Sequence, residues 1–126
     1  MNKELILELA DRIGESETYS QSVYYTWSRA PACIAGHCVT MHPEFVEFTE
    51  DSRCICEGRE HHIHILARKM LELKKDQAAK LFHANPPGDV LYDQFGEYTS
   101  ITKETAARVL RHLAKTGQVE WEGEDK

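Results

Sequence analysis

The sequence has no apolar run approaching the roughly 20 residues with which a helix spans a bilayer. Its opening stretch, MNKELILELADRIG, is acidic and amphipathic where a secretory leader is basic and then apolar. Both features point to a soluble, cytoplasmic protein without a membrane partner. Cysteine is scarce: four in 126 residues are too few to staple a chain of this length, so reduced thiols are expected. Positive charge is in deficit, with 15 Lys plus Arg against 21 Asp plus Glu and a formal charge of −6, which disfavours nucleic acid as a partner because phosphate binding needs clustered cations. A glycine-rich cofactor loop, the sequence signatures that accompany cysteine nucleophiles, internal repeats and low-complexity segments are also missing. With no complete catalytic constellation, the chain reads as non-enzymatic.

A length of 126 residues fits one domain, 1–126, with 1–2 and 122–126 frayed. Folding buries roughly two thirds of the open chain's surface at this size, enough for a core without disulfides. Leu5, Leu9 and Ile13, with Ile6 and Ala10 beside them, predict a helix over Lys3 to Ile13 that Gly14 stops. Thr18 to Trp27 carries aromatic and β-branched bulk and reads as strand or ordered loop. A helix is predicted over Pro31 to Met41, opened by a proline in its first turn and ended by Pro43. Both of its faces are small or apolar, as suits a central helix. Glu44 to Glu57 leaves room for a short hairpin, and helical spacing returns from Arg59 to Leu73. Asp76 is read as the N-cap of a short helix with Ala79 and Phe82 inward. Asn85-Pro86-Pro87-Gly88 is a break, and Asp89 to Ser100 a covering loop. The final helix is capped by Thr102 and closed by Gly117, with Ala106, Val109, Leu110, Leu113 and Ala114 as its buried stripe, and Val119 to Trp121 lead back to the body. The predicted class is mainly α: a compact domain of about five helices with at most a short β-hairpin.

Three patches carry a family resemblance. The run Pro31-Ala32-Cys33-Ile34-Ala35-Gly36-His37, the run Asp76 to Phe82, and Thr102 to Leu110 closing on Thr116 to Trp121 resemble a group of small uncharacterised helical proteins from bacteria and their phages, which show a CIAGH or CIAGW helix, a DxAxxLF helix and a late TxExAAxxL helix. The resemblance implies a fold and a genomic setting. Such proteins often carry a Cys where this chain has Ser28, a Trp-Pro pair where it has Asn85-Pro86-Pro87, and Trp at the position of His37, which argues against imidazole chemistry there.

Three sets of side chains are candidate sites. Cys33 and His37, four residues apart, share a helical face, and a thiol in the first turn is lowered by the helix dipole, the arrangement of a nucleophilic pair. The bland alternative is close helix packing with His37 on a backbone carbonyl. Cys54, Cys56, His61 and His64 place thiols and imidazoles within eleven positions, a composition that zinc accepts. Against it stand the non-standard spacing and the alternative of buried thiols beside solvated imidazoles; Cys38 and His42 form another such pair, read as core. Arg108, Arg111 and Lys115 line the outer face of the last helix, which with its Thr-Gly turn and Val-Glu-Trp end looks like the recognition helix and wing of a winged helix. A solvated basic face is the simpler reading. The expected role is binding another macromolecule, a protein before nucleic acid, with a second copy of the chain as a further partner and no cofactor beyond zinc.

Overall fold

The computed structural model describes residues 1–20, 24–26, 28–82 and 102–121. The break at Asn85–Gly88, the loop over Asp89–Ser100, the frayed tail and parts of Thr18–Trp27 lie outside these residues.

The described residues form five helices and a three-stranded antiparallel sheet, a mixed α and β architecture that corrects the mainly helical class expected above. Helix α1 spans Lys3–Gly14 and α2 spans Ile34–Val39. Strands β1 (Phe45–Thr49), β2 (Arg53–Cys56) and β3 (Arg59–His62) follow in order as a meander. Helices α3 (Ile63–Leu71), α4 (Lys75–Phe82) and α5 (Lys103–Thr116) complete the set. The correction originates at residues 57–62. Glu57 and Gly58 take φ of 57° and 77°, and positive φ at both central positions makes the turn whose twist matches two antiparallel strands. Arg59 to His62 are thereby paired with Cys56 to Arg53 as a strand instead of opening a helix.

Helices α1 and α5 pack along each other. Ile6, Leu9, Ala10 and Ile13 from one and Ala106, Val109, Leu110 and Leu113 from the other are fully buried, as their four-residue spacing requires. Asn2 caps α1 by accepting from the Leu5 N–H, and Thr102 caps α5 by accepting from the Thr105 N–H. Gly117, at φ 80°, returns its N–H to the Leu113 carbonyl. On α4 Phe82 is inward as predicted, together with Ala78 and Leu81, while Ala79 is exposed; the helix opens at Lys75, so Asp76 lies in its first turn and not at the N-cap. The Trp121 indole N–H donates to the Lys80 carbonyl at 2.7 Å, anchoring the segment after α5 on α4.

Helix α2 is central and shorter than the predicted 31–41. All six of its residues are buried, and Pro31 instead pairs with Tyr25 in an isolated bridge. A Cβ at Gly36 would overlap the Tyr24 carbonyl, so only glycine admits this strand-like segment against the helix. The sheet turns Phe48, Cys54 and Cys56 inward, and a bulge between Phe45 and Glu47 leaves Val46 65 % exposed. Tyr25 stacks on Phe48 and donates its hydroxyl to the Thr49 carbonyl, while Arg29 donates to the Phe48 carbonyl, so Tyr25 and Arg29 are both fastened to β1.

Candidate functional site

Cys33 occupies the N-cap position of α2, in extended conformation just before the first turn. Burial pushes its thiol up to about 11; the N–H groups of Gly36 and Ala35 at the helix start pull the other way and are outweighed. The neutral thiol is thus the dominant form, the reverse of the activation that a first-turn cysteine was expected to gain. His37 meets Cys33 through the backbone: Nδ1 lies 2.9 Å from the Cys33 carbonyl, to which only its N–H can donate. That bond fixes the tautomer, and Nε2 accepts from the Ser16 hydroxyl at 2.8 Å. Burial holds the imidazole below its ordinary pKa, more than its contacts with the Cys33 and Ala32 backbone raise it.

Ser16 was not singled out by the sequence, since it lies 21 positions from His37 in a polar stretch without periodicity. Its oxygen also accepts the Thr18 N–H, and its carbonyl accepts from Lys103 Nζ at 2.8 Å. A hydroxyl on an imidazole that is itself oriented by an acceptor has the outline of a nucleophile and its base. Here it joins the end of α1, α2 and α5 into one satisfied polar junction beneath Tyr19, whose ring lies 6.0 Å from that of His37.

The second set of thiols sits on the sheet. Cys54 and Cys56 share the inner face of β2, as alternation demands. Burial, then the neighbouring Cys56, pushes Cys54 up to about 11. Cys56 is also raised, by burial first and then by the carboxylates of Glu57 and Glu44. His61 stands opposite Cys54 in the register, but its Nε2 donates to the Cys56 carbonyl at 3.1 Å. His64 lies in the first turn of α3, its ring 5.8 Å from that of His62. Among the described residues the predicted quartet is not assembled, and of its members only Cys56 joins a cluster of metal-ligand type.

That cluster is His42, Cys56 and Glu57. One ligand atom from each lies within 4.8 Å of the others, giving a His/Cys/Glu group able to hold a metal ion. His42 follows α2, Cys56 ends β2, and Glu57 is the first residue of the β2–β3 turn. His42 Nε2 stands 3.7 Å from Glu57 Oε2, and the Glu44 N–H donates to His42 Nδ1 at 3.0 Å. In the neutral ring the proton therefore sits on Nε2, facing the carboxylate. A cation at Nε2 displaces that proton and loosens the Glu44 bond, a cost of about 1 kcal/mol. Structural zinc contributes on the order of 10 kcal/mol, so the bond does not decide the matter. Nothing in the spacing marks this set: His42 lies 14 positions from Cys56, and its pairing with Cys38 four residues earlier reads as core.

The basic face of α5 is partly engaged by the fold. Arg111 pairs with Asp11 of α1 at 3.0 Å, and Arg108 donates to the Trp121 carbonyl at 3.3 Å. Lys115 is exposed. A hollow of about 480 Å³ opens at the β1–β2 turn between Thr49, Glu50, Asp51, Arg53 and Glu60. Its lining is polar and acidic, without the apolar walls of a small-molecule pocket. Among the described residues no helix is long and apolar enough to cross a membrane. No protein-family model, curated protein or solved structure matches the chain.

Proposed function

We propose that this protein is a small, non-enzymatic accessory protein of bacteria or their phages that acts by binding another macromolecule, a protein in the first instance, as a modulator of a host process. The observation that carries the reading is the state of the four cysteines: every one is buried and every thiol is raised, so none is presented as a nucleophile. The setting follows the resemblance of the CIAGH and TxExAAxxL patches. A protein is favoured over a nucleic acid because Arg108 and Arg111 already serve carbonyl and carboxylate partners within the chain, and the whole carries −6. Zinc is the ion this reading assigns, since a thiol and an imidazole beside one carboxylate suit zinc, whereas magnesium and calcium take oxygen ligands.

The test is photo-crosslinking in bacterial cells, with a benzophenone side chain placed in turn at the exposed positions Leu7, Val46 and Ile65. The expected result is one protein adduct at one position, unchanged by nuclease. Adducts that vanish with nuclease, together with low-salt duplex binding lost in the double variant Arg108→Ala, Arg111→Ala, would establish the DNA-binding alternative instead.

A further inference from the structure

We infer that His42, Cys56 and Glu57 form a zinc site that clamps the β2–β3 turn onto the end of α2. The inference rests on the assignment of zinc made above, and adds which side chains hold the ion and what holding it does. Ligands at zinc's usual bond lengths of about 2.0–2.3 Å stand roughly 3.3–3.8 Å apart at the corners of a tetrahedron. His42 Nε2 and Glu57 Oε2 are already 3.7 Å apart, and no pair in the trio exceeds 4.8 Å, so closure takes side-chain rotations of about an ångström.

The backbone that carries the trio is tied at each point. The His42 N–H donates to the Val39 carbonyl, the Phe45 N–H to the His42 carbonyl, and the Glu57 N–H to the Glu44 carbonyl. Phe45 pairs with Cys56 across the sheet. The ligands thus sit on a framework formed without the ion, the condition for tight binding by only three side chains. Water completes the tetrahedron as the fourth ligand. One thiol, one imidazole and one carboxylate make a mixed donor set of the kind that zinc accepts.

The experiment titrates the purified, chelator-treated full chain with cobalt(II), followed by zinc competition and thermal melting. One equivalent is expected, with a thiolate-to-cobalt absorption band and a higher Tm with zinc. Affinity should fall at least 10-fold in Glu57→Gln, whose side chain is 47 % exposed and whose loss leaves the fold intact. The band should vanish in Cys56→Ser and His42→Gln, and persist in His61→Gln and His64→Gln. A band that survives Glu57→Gln at full affinity but is lost in His61→Gln or His64→Gln overturns this assignment while leaving zinc in place. Failure of the parent chain to bind either ion overturns both.

Discussion

The chain uses cysteine and histidine twice, to opposite ends. At the start of α2, Cys33 and His37 are sealed in the core, and each imidazole nitrogen has a protein partner at under 3 Å. At the β2–β3 turn, Cys56 is likewise buried, but it is covered by His42 and Glu57, side chains 18 % and 47 % exposed. The same residue types are packing material in one place and, in the other, the group proposed above to hold zinc. What separates them is the company they keep: backbone carbonyls and a hydroxyl around His37, carboxylates around Cys56.

The contrast can be broken most severely at Gly36. Substitution by alanine drives a methyl group into the Tyr24 carbonyl, backbone against backbone, and should destabilise by about 3 kcal/mol or fail to fold, as urea unfolding would show. A parent-like midpoint would mean that the 24–26 segment yields freely. Next comes Ser16→Ala, which leaves His37 Nε2 buried and unpartnered at a cost of about 1–3 kcal/mol. The same imidazole sets a pH dependence. Its folded pKa lies below 6.5, so the unfolded state binds more protons: the contribution is complete above pH 6.5 and is lost as pH falls through 6.5 toward the folded value. Denaturation midpoints at pH 7.5 and 5.5 should differ in that sense, and less so in His37→Gln. The smallest effect is expected at Arg111→Ala, which removes an ion pair to Asp11 with both side chains more than half exposed; the change should stay within about 0.5 kcal/mol. A larger loss would make that pair part of the α1–α5 interface proper.

The helices were legible where the period was long and the caps explicit. Thr102, the Ala106–Ala114 stripe and Gly117 predict α5 as it stands. The sheet was half legible: Glu44 to Glu57 leaves room for a short hairpin, but β3 is four polar residues at an edge, with no alternation to betray it. Its only signal is the Glu57-Gly58 turn, which is a statement about backbone angles that composition does not carry. The candidate metal centre was missed for a related reason. Spacing rules find ligands that share one element, and here Cys56 and Glu57 meet a histidine from a different one.

The pairing of α1 with α5 has a kinetic consequence. The two helices are separated by most of the chain, so their shared core forms only after a loop of about 90 residues has closed, at an entropic cost of about 4 kcal/mol. Until α5 docks, Ile6, Leu9 and Ile13 lack their cover, and a chain truncated before Lys103 would present them as an adhesive stripe. Folding is therefore governed by a non-local event and should be slow for a protein so rich in helix. Lengthening the intervening segment costs little, about 0.6 kcal/mol for each doubling, so this architecture tolerates insertions between its closing helices far better than loss of either one.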